Sequence, residues 1–309
     1  RIARAFTQKD GVAICGYHGW HDWYLAANLK KKSGLDQHLL SDLNISGVPK
    51  NLKSTVYPFK FNDYEHLIKI ITKYKNIGTV KMEVYRNVPP NRNFLQKVRN
   101  LCNRKNLVLI FDECTSGFRQ TFGGIHKFYN VNPDMAIFGK AMGNGYPINA
   151  ILGKKEIMNA AQSTFISSTF WTERLGYVAA LKTLEIMEKE KSWKVISSKG
   201  RYIKRKWKTL INKYKIKATI SGLDAMPKIN FLYKEKLIFK TYITQEMLKK
   251  GYLTDDAIYL STEHSKKIID LYLKNLEKVF KKIKILKTSK NLKKHLLGEI
   301  CHDNFKRLN

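Results

Sequence analysis

The sequence lacks an apolar run long enough to span a bilayer and lacks a signal-peptide pattern, which excludes membrane insertion through an apolar helix and points to a soluble, cytoplasmic chain. Cysteine is scarce. Cys15, Cys102, Cys114 and Cys301 form no CxxC or CxH pair, so neither a disulfide framework nor a cysteine-based metal site is expected. Acidic residues are few, 25 against 57 basic, for a net charge of +32. Only 11 of the basic residues are arginine, and the lysines are scattered instead of clustering among aromatics, which argues against a specific nucleic-acid groove. No internal repeat is visible. There is also no initiating Met: the chain opens "RIARAFTQKDGVAICGYHGW", with Ile2, Ala3, Ala5 and Phe6 forming a short apolar face before Gly11. The expectation is a sequence that begins partway through a domain.

At 309 residues and 43% hydrophobic, the chain can bury one large core, or a large domain with a smaller one attached. From residue 12 to about 153, short apolar runs ("VAIC", "GTVKMEV", "LVLIFDE", "MAIFGKA", "INAILG") are interspersed with helical patterns and loops. That alternation predicts an α/β fold with a mostly parallel sheet covered by helices on both faces, whose ligands gather at the carboxyl ends of the strands. After residue 170 come two long helical stretches, then a smaller α+β region, so the predicted division is 1–190, 191–284 and a polar, basic tail at 285–309.

Asp112 and Glu113 end a buried strand, and adjacent side chains on a strand point to opposite faces, so only one of the two acids can address a given ligand. Lys140 follows the later run "MAIFG". An acid and a lysine at neighbouring strand ends can form a salt bridge, a metal-free acid/base pair, or a Schiff-base site with an acid partner for a pyridinium nitrogen.

Four motifs in order, "GYHGWHDW", "FDECTSGFR", "PDMAIFGKAMGNGYPINAILG" and "FISSTFWTERLG", resemble the class III, fold-type I pyridoxal-phosphate aminotransferases, most closely the glutamate-1-semialdehyde aminomutase branch. The resemblance implies a pyridoxal-phosphate-binding large domain with a smaller C-terminal α+β domain. It implies that Lys140 forms the Schiff base with the cofactor and that Asp112 keeps the pyridine nitrogen protonated. Tyr17 would stack on the ring, Cys114 would pack on its opposite face, and Thr115 would reach its phenolic oxygen. Thr169 would bind the phosphate of a partner subunit, implying a homodimer with shared active sites; a helix cap near Thr172 is the alternative role. Glu83 is retained where the family reads Glu-Pro-Val, although Val84 and Tyr85 replace the pair after it. Glu83, Trp20 and Arg119 are the substrate candidates, with Arg86 and Asn87 as further carboxylate contacts. His18 is equally readable as a turn residue or a site residue.

The resemblance also implies a phosphate-binding turn upstream of Arg1, outside this sequence, and hence an N-terminally incomplete enzyme. The expected activity is amino transfer from a small amino donor to a keto or aldehyde acceptor, or the same transfer within one molecule. Two rival readings remain: an impaired relative acting as a binding protein, and nucleic-acid binding by the basic stretch 199–217.

Overall fold

The protein is described here by a computed structural model covering residues 1–30, 34–36, 38, 41–286 and 289–303. It divides into two compact units, Arg1–Lys189 and Glu190–Asp303.

The first unit is built on a six-stranded sheet: β1 (Gly11–Cys15), β2 (Val56–Pro58), β3 (Ile77–Glu83), β4 (Val108–Asp112), β5 (Met135–Phe138) and β6 (Ala150–Gly153). Their spatial order is β2-β1-β3-β4-β5-β6. The pairs from β2 to β5 are parallel, and β6 returns antiparallel along β5. The expected mostly parallel sheet is therefore present, with one strand added and one reversed. The three-residue β2 is too short to signal itself, and the apolar run of β6 carries no sign of its direction.

β1 and β4 are buried along their whole length, which is why they read as unbroken apolar runs. The helices Tyr64–Lys73 and Phe94–Arg104 connect β2 to β3 and β3 to β4. Asp63 caps the first by accepting the His66 N–H at 2.9 Å. The second buries Phe94, Leu95, Val98, Leu101 and Cys102, one stripe at helical spacing. Asp134 accepts the Leu109 N–H and binds Arg99 of that helix, each at 2.8 Å, which ties the helix to β4 and to the start of β5. The chain runs from β1 to β2 on one side and then to β3 on the other. That reversal opens a crevice at the carboxyl ends of β1 and β3.

The second unit packs helices Ser192–Tyr214, Lys236–Leu248 and Lys266–Leu286 with an antiparallel pair, β7 (Ala218–Ser221) and β8 (Lys228–Phe231). Its core includes Ile203, Trp207, Met247, Leu276 and Phe280. Basic residues of the first of these helices have acidic partners: Arg201 and Lys204 both reach Asp224, and Lys213 reaches Glu277. Within the stretch read as a tail, Ser289–Lys293 forms a short helix that buries Leu292 against this core. Residues 304–309 of that stretch lie outside the described residues.

Candidate active site

The two adjacent acids at the end of β4 diverge, as strand alternation requires. Glu113 turns to one face, where it accepts the His126 N–H at 3.0 Å and is held by the Ser116 hydroxyl. Asp112 turns to the other, opposite its register partner Glu83 on β3. Its Oδ2 lies 2.9 Å from His18 Nδ1 and 3.2 Å from Lys81 Nζ, while Oδ1 accepts the Cys114 N–H at 3.2 Å. Burial alone would raise the Asp112 carboxyl, but His18 and Lys81 outweigh it and hold the group well below the usual carboxylate range. Burial is also the larger influence on His18 and pushes its pKa down; facing the carboxylate, which can only accept, Nδ1 is the donor of this contact. Its buried Nε2 finds no partner among the described residues.

Lys140 is placed by the end of β5. Gly139 is extended and packs so closely that a Cβ there would collide with the Asn149 side chain. Lys140 itself has φ 47°, a left-handed conformation that a non-glycine residue adopts only where its surroundings enforce it. The residue as a whole is exposed, yet its Nζ reaches inward and donates to the hydroxyl of buried Thr115 at 2.8 Å. Arg86 Nη2 donates to the same oxygen at 3.0 Å. Partial burial of the amine, and then the nearby Arg86 guanidinium, push Lys140 below the ordinary lysine value.

Glu83 joins the strand ends. It accepts the Tyr17 N–H at 3.0 Å and Arg86 Nε at 2.8 Å. Gly16 makes this possible: its φ is +111°, and a Cβ at that position would run into the Glu83 carboxylate. A cavity of about 200 Å³ opens here, with Gly16, Phe59, Glu83, Arg86 and Asn87 in its wall. Cys114 sits between Asp112 and Lys140, and its thiol is pushed up to about 12, by burial first and then by Asp112.

Of the residues singled out in the sequence, Tyr17, Glu83, Asp112, Cys114, Thr115 and Lys140 converge at these strand ends. Arg119 is attached to the group by donating Nε to the Thr115 carbonyl at 2.8 Å. Trp20 is 73% exposed and stacks on His21, and Thr169 lies in an exposed 3-10 turn, Thr169–Thr172. Among the described residues no hydrogen bond joins either to the cluster. Nor does Thr169 cap the following helix, which starts at Arg174: Ser168 accepts the Phe170 N–H, and Glu173 accepts the N–H groups of Leu175 and Gly176. Lys81 went unread in the sequence. The available signal was a lysine two residues before Glu83 in an apolar strand, hence on the same face.

A wider cavity, about 1010 Å³, is lined by residues of the second unit, none of which belongs to this cluster. Its lysine, Lys240, is 2.8 Å from Asp255. Burial works to lower its pKa, but Asp255 and Asp256 prevail and raise it, so the amine stays protonated. Lys140 has the opposite disposition, which makes the strand ends the better candidate for amine chemistry.

Residues 85–268 match the model of the family described as aminotransferase class-III. The chain belongs to that family. Among similar proteins, it is 34% identical over 260 residues to the 3-aminobutyryl-CoA aminotransferase of Cloacimonas acidaminovorans (strain Evry), covering 79% of this chain and 57% of that one. It is 31% identical over 311 residues to the glutamate-1-semialdehyde 2,1-aminomutase of Wigglesworthia glossinidia brevipalpis, covering 92% and 70%. The chain thus spans little more than half the length of the first relative and about two thirds of the second. In fold, this class-III aminotransferase chain is similar to a transaminase solved with PLP bound, at a TM-score of 0.81 and 18% identity over 92% of this chain and 70% of that one. An omega-transaminase from Sphaerobacter thermophilus gives 0.78 and 20%, over 90% and 70%.

Proposed function

We propose that this chain catalyses pyridoxal-phosphate-dependent amino transfer from a small amino donor to a keto or aldehyde acceptor, with Lys140 and Asp112 as catalytic residues. The observation that carries the reading is that, at the ends of adjacent parallel strands, the buried Asp112 carboxylate is held by His18 and Lys81 while Lys140 turns its Nζ inward onto Thr115.

The residues present fit the group. An amine that gives up its proton more readily than an ordinary lysine, an anionic acid, and a cleft whose glycine leaves no room for a Cβ are what such a cofactor requires. When bound, pyridoxal phosphate supplies an aldehyde for condensation with amines and a ring that withdraws electrons from the substrate Cα. Asp112 would hold a proton on the ring nitrogen, steadied by the hydrogen bond from His18. Lys140 would bind the aldehyde carbon through Nζ and, once displaced, take the proton from the substrate Cα. Thr115, already an acceptor for Lys140 and Arg86, would orient that amine. Tyr17 and Cys114 would flank the ring and exclude water. Glu83 and Arg86 line the adjoining cavity and would address the substrate.

Intramolecular transfer is the second reading, favoured by the 31% identity to an aminomutase across 92% of this chain. Both readings use the same residues in the same roles.

A second copy of the chain is the partner we infer. Phe165, Phe170, Trp171, Leu175, Val178 and Leu181 are exposed within one short stretch that also carries Thr169, and apolar side chains exposed together in this way suit a surface that pairs with another chain. The cytoplasm is the compartment we infer. The four cysteines are free thiols, which suits a reducing environment, and no described helix is long and apolar enough to cross a membrane.

The test is to add pyridoxal phosphate, record the visible spectrum, reduce with borohydride and map the modified peptide. Modification of Lys140 is expected. Modification spread over surface lysines, or none, would overturn the reading.

A further inference from the structure

Lys81 is out of place by the ordinary rules of a parallel sheet. It lies in β3, between β1 and β4, where strands are covered on both faces and charged side chains are rare. It aligns with Ile14 on one side and Ile110 on the other. Its side chain is 12% exposed, its ammonium lies 5.0 Å from the centre of the Trp23 ring, and it reaches Asp112 Oδ2 at 3.2 Å. His18 Nδ1 occupies the same oxygen at 2.9 Å. Oδ2 thus carries two donors, and Oδ1 is met by one backbone N–H at 3.2 Å.

We propose that Lys81 competes with the cofactor's pyridine nitrogen for the charge of Asp112 and so sets how firmly that nitrogen keeps its proton. The inference rests on the pyridoxal-phosphate reading above. An acid that stands alone beside a pyridinium lends it a full counter-charge. Here the negative charge of Asp112 already faces the Lys81 ammonium at 3.2 Å, on the same oxygen that His18 occupies. A pyridinium placed at Oδ1 would face the carboxylate and also the positive charge behind it. Lys81 does not touch the reacting atoms; it is a positioning residue that acts through Asp112.

The titratable groups that share this region are His18 after β1, Glu83 on β3, Cys114 after β4 and Lys140 after β5. Of these, His18 contacts the carboxylate directly, so the experiment keeps it unchanged.

The test replaces Lys81 by Met, which matches its length and suits the apolar strand, and separately by Gln. Each full chain is titrated with pyridoxal phosphate by absorbance, then followed across pH by the ¹⁵N shift of ring-labelled cofactor. Removing the unit charge that lies 3.2 Å from Asp112 Oδ2 should raise the pH at which that nitrogen loses its proton by roughly one unit or more. The apparent Kd should fall by about tenfold in both variants. Lys81→Arg, which keeps the charge, should follow the unaltered protein. An unchanged or lowered midpoint in Lys81→Met and Lys81→Gln would overturn the proposal. The unaltered protein reads the underlying cofactor assignment by itself: if it takes up no cofactor that reading fails, and this inference falls with it.

Discussion

Thr115 accepts two cationic donors at once, Lys140 Nζ at 2.8 Å and Arg86 Nη2 at 3.0 Å, through a single buried hydroxyl oxygen. Thr115→Val keeps the shape and removes the acceptor, leaving both donors without their shared partner. Stability should fall by about 1–3 kcal/mol and amino transfer by roughly tenfold, whereas Thr115→Ser should retain most of both. Thermal melts and single-turnover kinetics on the pair would check this; equal behaviour of Val and Ser would mean the hydroxyl is idle.

Lys140→Ala should leave the melting temperature close to that of the unaltered chain, since the residue is exposed. It should reduce amino transfer by about 10³-fold or more, the upper range for a lost proton-transfer group. In the unaltered chain the rate at which Lys140 captures added pyridoxal phosphate should rise with pH through a midpoint below the ordinary lysine value of 10.5, because the folded state lowers the amine's pKa. A pH-rate profile with its rising limb at or above that value would contradict the assignment.

Asp112 and His18 predict acid sensitivity, and the sign is the same for both. The folded His18 pKa lies below 6.5, so the unfolded chain takes up a proton first, and stability is lost as pH falls below about that value. The folded Asp112 pKa is depressed below 3.8, so its contribution is complete above that pH and is lost on further acidification. Asp112→Asn should abolish the second phase and reduce amino transfer by about 10²-fold or more, while keeping cofactor uptake. Melting temperature against pH for the two proteins would separate the phases.

The exposed run around Trp171 makes a prediction about assembly. Replacing Trp171 and Val178 by Asp should shift the molecular mass measured by light scattering from dimer to monomer and leave the circular dichroism unchanged. A chain that is monomeric before substitution would contradict the inferred second copy.

Much of the first unit was legible because β1, β3, β4 and β5 are buried strands whose apolar runs break only at chemically marked ends, as at Asp112. What escaped was relational. β2 is three residues long, and the direction of β6 depends on the turn before it. The contact of Lys81 with Asp112 joins positions 31 residues apart and exists only through the register of β3 on β4. Thr169 is legible only by resemblance, because the ligand expected for it belongs to another subunit and leaves no mark on its own neighbours.

That register makes the charge pattern of the site a matter of odd and even. Lys81, Glu83 and Asp112 share a face because Glu83 stands opposite Asp112. Sliding β3 by a single residue would turn Val80 and Met82 toward the carboxylate and send both charges to the opposite face of the sheet. Insertions in the helices between strands can alter the length of this chain without touching its chemistry. One residue gained or lost inside β3 would erase the site while leaving the fold recognisable.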